Sequence, residues 1–316
     1  MLTIFAIPKP FHGEIKDIQR NAIKSWTLLS PKCEVILFGD DEGIAETAAE
    51  FGILHIPEVR TTKAGTPLIN DVFEKAQKIA KNKILAYVNS DIILMEDFMR
   101  TVERVSNIKE PNFLMVGQRS DLDLKERLEF NDDWENKLRL KVKKEGKLHH
   151  PDGADYFVFS SDTWGKIMQD RTDDELLPLA IGRDGVDSWV LYRTRLLGIP
   201  LIDVTPVVTI VHQNHFSRKL NDFQEKIEVY KKIRRIEKFY CPFIIRDANW
   251  IFTSSGLKKA PFTIYRFYRY YETLPIEYPR FGLLLKVLLF PGKLVMIIIR
   301  RTQCFLKFQC KKSLDK

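Results

Sequence analysis

The chain has 316 residues, 45% of them hydrophobic, and a formal charge of +8. That length buries a large core and is long for one ordinary domain, although α/β domains reach about 200–250 residues, and the hydrophobic fraction is that of a globular protein. The charge does not mark a nucleic-acid binder, because it is not spread: residues 257–316 carry thirteen Lys/Arg against three Asp/Glu, a net of +10, which leaves residues 1–256 at −2. A near-neutral body with a basic, apolar tail suits an anionic membrane surface instead.

The first hundred residues alternate strand-like and helix-like signals. Residues 2–8 read as a strand, and the opening Met1-Leu2-Thr3-Ile4-Phe5 lacks the basic region and cleavage site of a signal peptide. Residues 15–29 have helical spacing in Ile15, Ile18, Ala22, Trp26 and Leu29. A strand at 35–38 ends in Gly39-Asp40-Asp41, a short helix covers 44–51, and a strand covers 53–56. Residues 67–81 form a helix with apolar Leu68, Val72, Ala76 and Ile79, and 84–88 a buried strand. This βαβαβαβ order implies a parallel sheet with helices on both faces. There is no GxGxxG after the first strand and no P-loop, which argues against dinucleotide cofactors and P-loop chemistry. Cys33, Cys241, Cys304 and Cys310 form no CxxC pair and no zinc spacing, so reduced thiols and a cytoplasmic setting are expected.

The strand at 84–88 runs into Asn89-Ser90-Asp91 before the apolar Ile92-Ile93-Leu94. Ligands of open α/β sheets sit at the carboxyl ends of such strands, so Asp91 stands at the mouth of a cleft. A carboxylate there suits a hard divalent cation that also grips phosphates. Further on, residues 113–116 read as a strand leading to Gln118-Arg119-Ser120-Asp121, and the charged residues 124–145 as a solvated helix or excursion. Then come Gly153-Ala154-Asp155-Tyr156-Phe157-Val158-Phe159 and Gly182-Arg183-Asp184-Gly185-Val186-Asp187-Ser188-Trp189, the latter opening a helix to Leu197. Strands are expected at 201–203 and 207–211, the second ending in His212-Gln213-Asn214-His215. Asp40, Asp91, Arg119, Asp155 and His212 are each read as falling just after an apolar strand, and if those strands are neighbours in one sheet, the five converge on one edge. Such convergence is what a metal–diphosphate site needs; Mn2+ and Mg2+ want oxygen ligands, and Mn2+ also accepts imidazole.

In that order, Asn89-Ser90-Asp91, the Asp155 segment, the Asp187 segment and Val211-His212-Gln213-Asn214-His215 resemble the motifs of GT-A-fold glycosyltransferases, in particular family 2-like nucleotide-diphospho-sugar transferases. The resemblance covers about residues 1–255 and implies a Rossmann-like, mostly parallel sheet flanked by helices. It makes Asp91 and His212 the ligands of Mn2+ or Mg2+, with Asn89 in the first position of the DxD-like step. Asp40 falls where this fold contacts the nucleoside. Asp187 falls where inverting members carry the base that deprotonates an acceptor hydroxyl, with Asp184 and Trp189 on the same acceptor side. Arg119 either pairs with Asp121 or Asp123 or holds the diphosphate bidentately. Asp155 either caps a strand or contacts metal, sugar or acceptor, since Gly153 permits close approach. Asp184 is also a candidate helix N-cap, with Asp187 three residues on. His215 is a candidate outer-sphere group, and His149-His150 are expected in a solvated loop. Val186 and Ser188 stand where the motif has Trp and Asn, so the pocket beside Asp187 differs.

The implied activity is hexosyl transfer from a nucleotide-sugar donor to a glycan or lipid-linked acceptor, in cell-surface glycan synthesis. The expected domains are a catalytic domain at 1–220 (donor half 1–110, acceptor half 111–220), a helical connection at 221–260 and an aromatic, basic and apolar extension at 261–316. A sugar-1-phosphate nucleotidyltransferase shares a similar sheet, but wants a Gly-rich basic loop where this chain has Ile7-Pro8-Lys9-Pro10-Phe11. A non-catalytic membrane-surface module is the other rival, permitted by Asn89. In the tail, Tyr265, Phe267, Tyr268, Tyr270 and Tyr271 alternate with Arg266 and Arg269, and the apolar run 281–299 contains Lys286, Pro291 and Lys293. A spanning helix needs about 20 apolar residues and rarely two lysines. The tail is therefore expected to lie in, or dip into, the inner leaflet, making the protein peripheral on the cytoplasmic face; the competing reading is a C-terminal helix packed on the catalytic domain.

Overall fold

The computed structural model describes residues 1–124, 126–169, 179–182, 185–215, 223–237, 242–285, 287–288 and 290–292. The chain divides into two compact units, Met1–Ala260 and Pro261–Lys316.

The first unit opens as β1 (Leu2–Ala6), α1 (Gly13–Thr27), β2 (Glu34–Phe38), α2 (Ile44–Phe51), β3 (Leu54–Ile56), α3 (Ile69–Ile79) and β4 (Ile84–Val88). Each helix buries one stripe, as its spacing demands: α1 buries Ile18, Ala22, Ile23 and Trp26, and α3 buries Ile69, Val72, Phe73 and Ala76. Next come β5 (Ile92–Ile93), α4 (Glu96–Ser106), β6 (Leu114–Val116), β7 (Ser120–Leu122), α5 (Trp134–Glu145), β8 (Lys147–Leu148), β9 (Tyr156–Ser160) and α6 (Ser161–Ile167). The unit closes with α7 (Val186–Leu196), β10 (Leu201–Asp203), β11 (Val211–Gln213), α8 (Phe223–Ile236), β12 (Trp250–Thr253) and β13 (Gly256–Lys259).

Nine strands form one sheet in the order β13-β12-β10-β6-β9-β4-β1-β2-β3. β9 runs antiparallel to both its neighbours and β13 to β12; the other pairings are parallel. The expected α/β class, a mostly parallel sheet flanked by helices, is what the chain adopts. β1, β4 and β9 are apolar along nearly their whole length because both faces are covered. One face packs α1 and α4 through Ala22, Trp26, Phe98 and Val102. The other carries an aromatic cluster in which Phe73 meets Phe5 edge-on at 4.9 Å and stacks on Phe159 at 5.5 Å. Each such pair adds roughly 0.5–1.5 kcal/mol beyond burial.

A second sheet, β5-β11-β7-β8, leaves the main one at Asn89–Asp91. Its own small core joins Ile93, Met95, Leu122, Leu124, Leu138 and Val211. Three expected elements differ. Among the described residues of 124–145 only Trp134–Glu145 is helical; the charged face is solvated, but Leu138 is buried against the second sheet. Residues 207–208 turn back on Val204 through backbone hydrogen bonds of 3.0 and 3.2 Å, so the strand starts only at Val211. Within 221–260, α8 is helical as expected, but Trp250–Thr253 and Gly256–Lys259 are strands that extend the main sheet. Aromatic and β-branched side chains around a Ser-Ser-Gly turn favour that hairpin over a helix.

In the second unit, α9 (Ile264–Glu277) starts at Thr263, whose hydroxyl accepts the Arg266 amide at 3.2 Å. Leu274 and Ile276 are buried, whereas Phe262, Ile264, Phe281, Leu283, Leu284, Val287, Leu288 and Phe290 are exposed. Among the described residues no helix is long and apolar enough to cross a membrane. Lys293, Arg300 and the rest of the tail lie outside the described residues.

Candidate functional site

The turn Asn89-Ser90-Asp91 is where one strand line changes sheets. β4 ends at Val88, the Ile92 amide closes the turn onto the Asn89 carbonyl at 3.1 Å, and β5 pairs with β11 in the register Ile92↔His212. In that register Asp91 falls opposite Gln213, one place along from His212, and His212 Nε2 lies 3.7 Å from Asp91 Oδ2. Gln213 locks the arrangement. It is fully buried, and its backbone and side-chain amides both donate to the Asp91 carbonyl, at 3.3 and 3.2 Å. Its Oε1 accepts from Asn21 of α1 at 3.0 Å. Ser90 donates to Gln19 of the same helix at 2.8 Å.

Asp155 precedes its strand rather than following one. Because β9 is antiparallel, its start lies at the same sheet edge as the end of β4, and the Asn89 amide donates to the Asp155 carbonyl at 2.9 Å. The Asp155 carboxylate accepts Asn89 Nδ2 at 3.1 Å and Arg119 Nη1 at 2.5 Å. Arg119 also donates from Nε to Asp121 at 2.9 Å. The expected Arg119–Asp121 pair is therefore present, and Arg119 is engaged by two carboxylates.

Asp121 and His149 are the residues that sequence reasoning undervalued. Asp121 Oδ2 meets His149 Nδ1 at 2.6 Å, and its Oδ1 lies 3.1 Å from His212 Nδ1. His149 is thus half-buried in the site instead of in a solvated loop, drawn in by its own amide bond to the Arg119 carbonyl at 2.9 Å. His150 is exposed, as expected. Burial works to raise the Asp121 carboxyl, but the His149 hydrogen bond and the Arg119 charge outweigh it and hold it below the ordinary carboxylate value. Burial dominates at Asp155, which is raised although Arg119 opposes this. Burial also pushes His212 down against the pull of Asp91, favouring the neutral imidazole that a metal needs.

Asp91, His212 and His215 each offer one ligand atom, all within 4.8 Å of one another. Asp91 Oδ1 is buried and has no hydrogen-bond partner among the described residues. An orphaned buried carboxylate oxygen beside two imidazoles fits a divalent cation.

The remaining candidates lie around this centre. Asp187 is half-buried in the first turn of α7, behind Gly185 at φ +88°. Its charge acts with those of Asp91 and Asp155 on the Tyr87 phenol, which burial and these carboxylates push well up. Asp184 lies outside the described residues. Trp189 is fully buried, on the face of α7 that also buries Val186 and Val190, so it is core and cannot stack on an acceptor sugar. Asp40 is exposed after β2, two strands from β4. It lines an open pocket of about 370 Å³ with Pro57, Glu58, Val59, Arg60 and Lys75.

No family model and no curated protein matches the chain. Solved structures do. GalNAc-T7 with UDP, GalNAc and Mn2+ is similar with a TM-score of 0.50 and 13% identity, over 75% of this chain and 48% of that one. TarS 1-349 from S. aureus is similar with a TM-score of 0.44 and 10% identity, over 74% of this chain and 65% of that one. Glucosyl-3-phosphoglycerate synthase from Mycobacterium tuberculosis, in complex with Mg2+ and UDP, gives a TM-score of 0.42 and 13% identity, over 74% of this chain and 78% of that one. The chain spans about half of the GalNAc-T7 chain and just under two thirds of the TarS one. With its strand order and its turn at the end of β4, this chain has the GT-A fold of the nucleotide-sugar transferases.

Proposed function

We propose that the protein is a metal-dependent glycosyltransferase that moves a sugar from a nucleotide-diphospho-sugar to a hydroxyl acceptor. The observation that carries this reading is the meeting of Asp91, His212 and His215 at the carboxyl edge of β4 in a GT-A sheet. GalNAc-T7, similar in fold, is seen with UDP, GalNAc and Mn2+, which supports the reading by analogy. Asp91 and His212 hold Mn2+ or Mg2+, whose charge stabilises the diphosphate as the sugar–oxygen bond breaks. Asp40 faces the nucleoside in its pocket. Asp155 is held by Asn89 and Arg119 and shapes the floor of the cleft. Asp187 takes the proton of the acceptor hydroxyl, a contribution of about 10²–10⁴-fold.

The acceptor is a glycan or lipid-linked sugar, the product a cell-surface glycan, and the protein sits peripherally on the inner face of the membrane. The exposed apolar residues of the second unit and the +10 charge of residues 257–316 support this. Titration calorimetry of a nucleoside-diphosphate panel with and without Mn2+ tests the donor site. UDP or GDP is expected to bind only with metal, and Asp91→Asn to abolish that binding without lowering the thermal midpoint. Unchanged affinity in the variant rejects Asp91 as a ligand.

A further inference from the structure

We propose that the exposed face of α5 and β8 is a docking surface for the acceptor, and that this acceptor is a glycan carrying repeated negative charges. The proposal rests on the glycosyltransferase reading above and names the class of its acceptor.

Charge is concentrated here against the trend of the unit. Residues 137–150 hold six Lys/Arg and one Asp/Glu, a net of +5. Residues 1–256 together are at −2, so taking out this stretch leaves the others at −7. Helical spacing then sorts the side chains. Trp134, Leu138 and Val142, four apart, turn to the small core of the second sheet. Lys137, Leu140, Lys143 and Lys144 fall on the other side of α5 and are exposed. Arg139 is spent on Asp97 at 2.6 Å, and Lys144 meets Glu145 at 3.6 Å. Lys137, Lys143 and Lys147 make no ion pair among the described residues.

This face leads into the candidate site. The Gly146 amide closes α5 on the Val142 carbonyl at 2.8 Å, and a Cβ at Gly146 would lie 2.6 Å from that oxygen. The chain therefore passes from helix to strand at a single tight residue. β8 then pairs with β7 in the register Asp121↔Lys147. Opposed residues share one face of a sheet, so Lys147 stands on the side of Asp121, which faces His212. Arg119 and His149 occupy both oxygens of Asp121, which leaves Lys147 as an uncompensated cation at the rim. His149 fastens the end of β8 there. Its amide donates to the Arg119 carbonyl at 2.9 Å, and its own carbonyl accepts Gln118 Nε2 at 2.7 Å. The 12 residues of α5 add about 18 Å of length at a rise of about 1.5 Å each.

The chemistry of the face selects the partner. Its free cations are lysines, compact charges on flexible stems, which follow a chain of carboxylates or phosphates without demanding one fixed geometry. The exposed Leu140 and Leu148 are single side chains set among them. A lipid surface wants a bulky apolar face, and this one has none. A polyanion drawn along the face is concentrated at the cleft where its hydroxyl must react.

The test uses the full-length protein with an oligogalacturonate, a neutral malto-oligosaccharide of the same length and vesicles of phosphatidylglycerol. The uronate is expected to protect Lys137, Lys143, Lys144 and Lys147 from acetylation, read by mass spectrometry, and to leave Lys166 reactive. The neutral sugar is expected to protect none of them. Changing the four lysines to Gln is expected to weaken uronate binding by about tenfold or more, with the thermal midpoint and Mn2+-dependent nucleotide affinity near native. A charge-matched variant of the tail, with Arg300, Arg301, Lys311 and Lys312 changed to Gln, is expected to keep it. Equal loss in the two variants shows attraction to net charge alone and overturns the proposal. So does absence of protection while nucleotide still binds with Mn2+, which leaves the glycosyltransferase reading intact. If the four-lysine variant instead loses sedimentation with vesicles and the uronate protects nothing, the face serves a membrane. Protection in a protein that binds no nucleotide with Mn2+ rejects the underlying reaction, and with it the role of the face as an acceptor site.

Discussion

A single carboxylate at the start of α7 tests the chemistry most directly. Asp187→Asn keeps the size of the side chain but removes its charge and its basic oxygen. Donor affinity is expected to stay near native while turnover falls by about 10² or more, read by calorimetry and steady-state rates together. If Asp184→Asn does this and Asp187→Asn does not, the base lies three residues earlier in the chain. A second carboxylate, Asp71, holds the rim of the Asp40 pocket. It accepts the Arg60 amide at 2.8 Å and Lys75 Nζ at 2.9 Å. Burial raises its pKa, but the bonds from Arg60 and Lys75 outweigh that and leave it lowered. A carboxyl whose folded value lies below its unfolded value of about 3.9 stabilises the fold above that pH, and loses this as pH falls through the folded value. The thermal midpoint of Asp71→Asn is therefore expected to trail the native one at pH 6 and to close on it below about pH 4. A constant gap from pH 6 to pH 3 counts against the ion pairs.

Strand ends decide the geometry one scale up. Gly117 links β6 to the Gln118-Arg119 step, and a Cβ there meets the Tyr156 hydroxyl at 2.4 Å and the Thr205 amide at 3.2 Å. Tyr156 is fully buried and its hydroxyl has no partner among the described residues. Gly117→Ala is expected to cost about 1–3 kcal/mol, the usual range for overpacking a filled interior. Tyr156→Phe alone is expected to be neutral or mildly stabilising, because it removes an unsatisfied polar group. In the Tyr156→Phe background the Gly117→Ala cost should shrink, which a double-mutant cycle by denaturant titration measures. Full additivity would place the clash elsewhere. Much of the site was legible at this scale. Asp91, His212 and Asp155 stand next to apolar runs long enough to read as strands. Asp121 and His149 do not. β7 is three residues, Ser120-Asp121-Leu122, and β8 two, too short to show a period of two. They exist because β11 and the Arg119–His149 backbone bond hold them, and those partners are distant in sequence.

At the scale of the whole molecule, charge and apolar exposure concentrate in one unit. The second unit exposes Phe281, Leu283, Leu284, Val287, Leu288 and Phe290 within ten residues. Each basic residue near an anionic surface adds about 1 kcal/mol, which salt screens, whereas apolar insertion is far less sensitive to salt. Full-length protein is expected to sediment with anionic vesicles, to be released in part by high salt and fully only by detergent. Truncation after Ala260 is expected to abolish sedimentation and to keep metal-dependent nucleotide binding. Indifference of the full chain to vesicles, with unfolding of the truncated one, assigns the segment a packing role instead.

What the sequence determined by itself was local: the alternation of strands and helices to Val88, the polar step at the end of β4, and the segregation of positive charge into the last sixty residues. Each depends on spacing or composition within a short window. The tertiary structure alone decided which polar residues meet. β9 enters the sheet antiparallel and brings the start of a strand to the edge where others end. A second sheet carries His212 and His215 to Asp91, and α7 turns Trp189 inward. Those outcomes follow from pairings between residues up to a hundred or more positions apart. Short strands gain stability only from such partners, and no local pattern encodes them.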